Sequence, residues 1–302
     1  MSNAESVGLV GLGLIGTSLA QRLLAAGFTV HGYDVRSERN QNLAALGGHA
    51  CASLREVAQA SNTIVLAVFN TDQVESVLEA PDGAQPAPGQ IVICTSTCDP
   101  DRIEALAARV TKRGIQFLES PLSGNSDQIA KGNGITLIGG ERSTMEAAAP
   151  VLNALCKQSY YLGPAGSGGR AKLAVNLVGG LNRAVMAEGL AFAEAMGLEL
   201  APFLEVLKGS AAYSRTMDNR GMKMVTSDFT PHAWLTQSLK DFKLMHEVSD
   251  RIGQELPLAT QYMQLIESCI AHGEGQLDNS VVIQEIRRRR LNSAAPKKLA
   301  RT

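Results

Sequence analysis

The sequence predicts an α/β domain with a doubly wound sheet, followed by a long connecting helix and an all-α C-terminal domain. Three observations carry that prediction. Short β-branched runs alternate with helical patterns through residue 165, a glycine-rich turn follows the first run, and the strand signal stops after Gly169. At 302 residues the chain is long enough for two domains.

The strand candidates, in order, are Val7–Val10, Thr29–Tyr33, Thr63–Val68, Ile91–Thr95, Ile115–Leu118, Ile135–Ile138 and Ser159–Leu162. Continuous apolar runs alternating with helices imply a parallel sheet covered on both faces. Ser53-Leu-Arg-Glu56 and Ser143-Thr-Met-Glu146 both fit a capping box, in which hydroxyl and carboxylate satisfy orphan N–H groups at a helix start. Ala80–Gln90 reads as a surface loop. Residues 170–196 read as one helix, apolar or small nearly all round, and further helical patterns cover 202–208, 233–252, 258–272 and about 280–290. The expected division is residues 1–165 for the sheet domain, 166–196 for the connecting helix, 197–290 for the helical domain and 291–302 for a mobile basic tail.

Lys+Arg 28 against Asp+Glu 29 gives a net charge of −1, so no global field draws the chain to nucleic acid or membrane. Seven of the 28 cations lie after Ile286; the body without them is left at about −8. That run lacks interleaved aromatics and reads as a solvated tail. No window has the ~20 apolar residues of a membrane span, and the N-terminus lacks a signal-peptide pattern. Five scattered cysteines without a CxxC pair point to reduced thiols and a cytoplasmic protein, with Cys94 and Cys98 as strand-end packing.

Val7–Val10 leads into Gly11-Leu-Gly13-Leu14-Ile15-Gly16, which opens a helix near Leu14. Strand, turn and helix in that order are the Rossmann-type dinucleotide signature. The glycines allow a tight turn, close approach of a pyrophosphate and close helix–sheet contact, and the helix start offers free N–H groups to phosphate. Asp34 lies 23 positions after Gly11, where an acidic residue accepts the ribose hydroxyls; it favours NAD. Arg36 and Arg39 lie just beyond, either as solvated loop charges or as partners for the 2′-phosphate of NADP.

The five histidines form no metal-ligand spacing, and no nucleophile elbow exists. With a nicotinamide site present, the remaining need is a group that exchanges the proton accompanying the hydride. Lys172 begins the long helix after a glycine cluster, and Asn176 lies one turn along on the same face. Desolvation lowers a lysine pKa from ~10.4 toward neutrality, which suits it to acid–base work. The alternative is a lysine that reaches out to water.

Gly11–Gly16, Glu119-Ser-Pro-Leu-Ser-Gly-Asn125, Gly166-Ser-Gly-Gly-Arg-Ala-Lys-Leu-Ala-Val-Asn176 and Ser238-Leu-Lys-Asp-Phe-Lys-Leu244 occur in that order. Together they resemble the β-hydroxyacid dehydrogenase family, from about residue 6 to 290. The resemblance implies Lys172 as catalytic acid/base with Asn176 beside it, and a substrate carboxylate bound by Ser123 and Gly124. Asn125 stands where that family's pattern has a second glycine, which adds an amide to the substrate loop. Val68 and Phe69 match the cofactor-lining Leu-Pro, both altered here, while Ser96-Thr97 matches the turn near the nicotinamide. Lys240 matches a lysine that reaches over the cofactor. The expected reaction is hydride transfer between NAD, with NADP open, and a small β-hydroxy acid, in a homodimer or homotetramer. Two alternatives stand: an imine reductase, whose members usually lack lysine at the Lys172 position, and a nucleotide-binding regulatory protein without turnover.

Overall fold

The computed structural model describes residues 5–290. The chain separates into two compact units, Met1–Ala174 and Val175–Thr302. The first unit alternates β1 (Ser6–Val10), α1 (Leu14–Ala25), β2 (Thr29–Tyr33), α2 (Ser37–Ala45), β3 (His49–Ala50), α3 (Leu54–Gln59), β4 (Thr63–Leu66), α4 (Thr71–Glu79), β5 (Ile91–Cys94) and α5 (Pro100–Thr111). It continues with β6 (Gln116–Glu119), β7 (Leu122–Ser123), α6 (Ser126–Ala130), β8 (Ile135–Gly140), α7 (Arg142–Ala147), α8 (Ala149–Leu155) and β9 (Gln158–Gly163).

The sheet order is β3-β2-β1-β4-β5-β6-β8-β7, with β9 on β8. The chain crosses from β3 back through β1 and out to β4, the doubly wound arrangement with a switch point at β1. Alternate residues supply two cores: Val7, Leu9, Val65, Ile93 and Leu118 to one, Val10, Ile64, Leu66, Val92 and Phe117 to the other. Each apolar strand is therefore buried on both faces, as a parallel sheet requires.

The sheet is mixed rather than wholly parallel. β8 runs antiparallel to both β6 (Leu118↔Gly140) and β7 (Leu122↔Thr136). Only two residues, Ser120 and Pro121, separate β6 from β7, and the chain then reverses through α6, so β8 can only return in the opposite sense. The Ser53 box is half present: its hydroxyl accepts from Glu56 N–H, while the Glu56 carboxylate takes the N–H of Ala52. The Ser143 box is absent. Gly140, at φ +141°, ends β8, and the turn at Glu141 starts α7 at Arg142, which puts Ser143 inside the helix.

A long helix, α9 (Ser167–Ala195), starts in the first unit and continues into the second. After it come α10 (Leu200–Gly209), α11 (Arg215–Thr226), α12 (Leu235–Ile252), α13 (Pro257–Ala271) and α14 (Val282–Arg288). The sequence reading had no helix at α11, whose polar face and central Gly221 hide the buried Met217–Arg220–Gly221–Met224 stripe. Arg287, Arg288 and Arg289 correct another expectation. They pair with Glu194, Glu274 and Glu285 rather than forming a solvated tail, and residues 291–302 lie outside the described part. Among the described residues no helix is long and apolar enough to cross a membrane.

The helical unit is held by a buried polar centre. Arg220 lies 3.5 Å from Asp278 and donates to Asn279 at 3.1 Å, and Asp278 accepts from His232 N–H and from Ser280. Burial pushes the Asp278 carboxyl up, but Arg220 and these donors outweigh it and hold it below its ordinary 3.8. A depressed carboxyl contributes stability that is complete above the unfolded value and lost as pH falls through the folded one. Urea unfolding at about pH 6 and about pH 3 should therefore show a larger loss for wild type than for Asp278→Asn. Equal losses would mean that Asp278 titrates alike in both states.

Candidate active site

The turn from β1 into α1 is built for close approach of a ligand. Gly11 has φ +91°, and a Cβ there would meet Ala67 O at 2.5 Å; a Cβ on Gly16 would collide with Gly11 O. Gly11 N–H is fixed to Tyr33 O at 2.9 Å. Gly13 is the N-cap of α1 and supplies no side-chain acceptor, so the first-turn N–H groups of Leu14, Ile15 and Gly16 have no side-chain cap. Donors at an uncapped helix start, behind a surface stripped of Cβ atoms, fit a pyrophosphate.

Asp34 directly follows β2 and is buried, with both carboxylate oxygens engaged. Oδ2 accepts from Leu12 N–H at 2.8 Å and from Arg39 Nη1 at 3.0 Å, and Oδ1 accepts from Arg36 N–H at 3.0 Å. Burial raises this carboxyl, but the two backbone donors and Arg39 overcome that effect and lower it below 3.8. The charge is thus tied to the glycine turn through Leu12. Arg39 is neither a solvated loop charge nor unengaged: it pairs with Asp34 and lies 3.6 Å from where a Gly13 Cβ would stand.

The other residues that the resemblance assigns to the cofactor gather after β4 and β5. Val68 O accepts from Ser96 Oγ at 2.7 Å, which links the two loops; Phe69 is exposed and Thr97 half-buried. Asp99 caps α5 and donates its own N–H to Thr71 Oγ1, so α4 and α5 are pinned together behind Thr97.

The loop that the family resemblance implies for substrate follows β7. Gly124 has φ +145°, a backbone reserved for glycine, and Ser123 is half-buried beside it. Asn125 has a different task from the one its position suggested. Its side-chain oxygen accepts from Gln128 N–H at 2.8 Å, and its own N–H donates to Gln128 Oε1 at 3.0 Å, a complete capping box on α6. The added acceptor is spent on the helix, and what Asn125 brings to the loop is rigidity. Asn-x-x-Gln at 125–128 is the signal that would have found it. Ser18 Oγ of α1 donates to Ser126 O at 2.9 Å and joins this loop to the glycine-turn helix.

Lys172 is buried (6% exposed) in the second turn of α9. The pattern places the helix start at residue 170, and α9 begins three residues earlier, at Ser167, through a contact the local sequence does not display. Glu119, at the end of β6 and 3% exposed, accepts from Gly168 N–H at 2.8 Å and Gly169 N–H at 3.1 Å with separate oxygens. In the second unit, Asn176 donates through Nδ2 to Asp241 Oδ2 at 2.9 Å, and Lys240 Nζ lies 2.8 Å from Asp241 Oδ1. Lys240 is therefore tethered within an Asn176–Asp241–Lys240 chain rather than solvated.

A glycine-turn nucleotide unit continued by a buried-lysine helix defines an NAD(P)-dependent oxidoreductase. Residues 6–163 match the NAD binding domain of 6-phosphogluconate dehydrogenase, and 166–286 match the NAD-binding domain of NADP-dependent 3-hydroxyisobutyrate dehydrogenase. An L-threonate dehydrogenase of Cupriavidus necator is 32% identical over 93% of this chain and 96% of its own. The solved 3-hydroxyisobutyrate dehydrogenase of Salmonella typhimurium is 31% identical with TM-score 0.85, covering 93% of this chain and 99% of its own. An imine reductase of Pseudomonas sp. is more distant, at 20% identity and TM-score 0.61 over 94% of this chain and 100% of its own, and shares the fold. The chain belongs to the β-hydroxyacid dehydrogenase family. It is an NAD(P)-dependent dehydrogenase acting on the hydroxyl group of a hydroxy acid.

Asp34 generates a cofactor prediction. A carboxylate facing the ribose diol favours NAD, and Asp34→Ser should weaken NAD and relatively favour NADP, because Arg39 loses its partner. The swing should be about 1–3 kcal/mol, the scale of one charge-assisted hydrogen bond. Fluorescence titration with NADH and NADPH reads it, and a wild type that already prefers NADP in catalytic efficiency would refute it.

Proposed function

We propose that the chain interconverts a small β-hydroxy carboxylate and the matching semialdehyde or keto acid, with Lys172 exchanging the hydroxyl proton. The observation that carries this reading is a buried lysine on the helix that follows an intact nucleotide domain. The Ser123 hydroxyl and Gly124 N–H receive the substrate carboxylate, with Asn125 holding the loop in shape. The nicotinamide supplies the hydride exchange at the carbon bearing the hydroxyl. Lys172 Nζ takes the hydroxyl proton in oxidation and returns it in reduction. Asn176, held by Asp241, orients the groups beside Lys172, and Lys240 serves the cofactor from the same chain of contacts. The polyhydroxy acid named for the L-threonate relative and the branched acid named for the 3-hydroxyisobutyrate relative bound the substrate class. Lys172 also weighs against an imine reductase, since members of that group usually lack it.

The functional division follows the sequence: nucleotide binding through residue 165, the connecting helix 166–196, and the helical domain 197–290. The cysteines Cys51, Cys94, Cys98, Cys156 and Cys269 are all buried free thiols, which supports a reducing cytoplasm. A homo-oligomer is supported by α9, where Val178, Val185 and Phe192 are 60%, 70% and 65% exposed and recur every seventh residue. Such a stripe covers itself best against a second copy of the same helix.

Lys172→Ala should leave NADH binding nearly intact and lower turnover by roughly 10²–10⁴, the contribution of a positioned acid/base. Asn176→Ala should cost less, because it exchanges no proton. Wild-type oxidation should speed up with pH as the neutral amine becomes available. An absorbance screen of 3-hydroxyisobutyrate, serine, glycerate, threonate and tartronate semialdehyde with each cofactor reads these effects. Retention of more than about a tenth of wild-type turnover by Lys172→Ala would refute the assignment. Light scattering should return at least twice the 32.0 kDa chain mass, and a monomer at micromolar concentration would remove the oligomer.

A further inference from the structure

We propose that Glu119 is a positioning residue for the reaction: its carboxylate clamps the first turn of α9 and so sets the place and the electrostatic surroundings of Lys172. The inference rests on the reading of Lys172 given above.

The N–H groups at the start of α9 are accounted for one by one. Ser167 N–H donates to Pro164 O at 3.1 Å and Arg170 N–H to Gly166 O at 3.0 Å. The two between them, on Gly168 and Gly169, go to Glu119. The start of α9 is thus filled by the chain's own carboxylate, and an acid substrate must find its anion site elsewhere. Three glycines make room for this clamp. A Cβ on Gly139 would collide with Glu119 Oε1, one on Gly168 with Leu137 O, and one on Gly169 would stand 3.1 Å from Glu119 Oε2. Lys172 follows Gly169 by three residues, about one turn along, and long helical side chains lean back over the preceding turn. The charged and titratable groups facing Glu119 are Arg170 of α9 and the Cys94 thiol of β5; Arg170 is itself paired with Asp101 and Glu104 of α5. Burial raises the Glu119 carboxyl, opposed by the N–H groups of Gly168, Gly169 and Gly166 and by Arg170. Because each oxygen accepts from a separate N–H, the carboxylate, and not an amide, is the group that fits.

Glu119→Gln keeps the shape but turns an NH₂ toward one of the two glycine N–H groups. Its kcat should fall by about tenfold or more, with the NADH dissociation constant, read by fluorescence, within about twofold of wild type. Removing a negative charge about one turn from Lys172 should move the pH limb of oxidation to lower pH by about half a unit or more. Gly169→Ala shifts the carboxylate without removing its charge, so it should lower kcat less and leave the limb in place. Unchanged kcat and pH limb in Glu119→Gln, with Lys172→Ala inactive, would overturn this inference and leave the reading of Lys172 standing. Turnover retained by Lys172→Ala would remove both. If Glu119→Gln fails to fold, unchanged kcat in Gly169→Ala overturns the inference.

Discussion

The first N–H groups of an α-helix have no acceptors within the helix, and the way this chain disposes of them organises its site. Three helix starts, on α1, α6 and α9, receive three treatments. At α1 the glycines supply no side-chain acceptor, and the donors serve a diphosphate. At α6 Asn125 and Gln128 satisfy each other's backbone. At α9 a buried glutamate from the sheet fills the opening. Positive helix ends would compete for any anion in reach, so two of the three are neutralised internally and the third is kept for the cofactor.

The electrostatics of the nucleotide end follow the same economy. Asp34 would be costly to bury alone, and its carboxylate is stabilised by two backbone N–H groups and Arg39. Because one of those N–H groups belongs to Leu12, the carboxylate at the end of the second strand also stiffens the glycine turn.

Much of this was legible in the sequence because strand, turn and helix force a fixed spacing. Gly11 and Gly16 occupy positions where a Cβ would collide with backbone, Asp34 follows at the expected spacing, and seven strands showed themselves as apolar β-branched runs. β3 and β7 were not visible, since two residues cannot display a period. The reversal of β8 depends on how soon the chain turns at Pro121, which local propensity does not encode. The role of Glu119 is not legible locally, because its partners lie 49 and 50 residues away. Asn125 is the opposite case: its capping role is written locally in Asn-x-x-Gln. Arg39 needed the fold of the β2–α2 loop to show that it faces Asp34.

The interrupted strand formed by β6 and β7 ties the capping of α9 to the proposed substrate loop and the cap of α6 within seven residues, 119 to 125. Transplanting a new substrate loop onto this scaffold at Ser123–Asn125 alone would disturb the seat of α6. Extending the graft upstream past Ser120 would remove the glutamate under α9. The exchangeable cassette is thus 119–128 together with 166–172, two stretches distant in sequence that an engineer would have to move as one part.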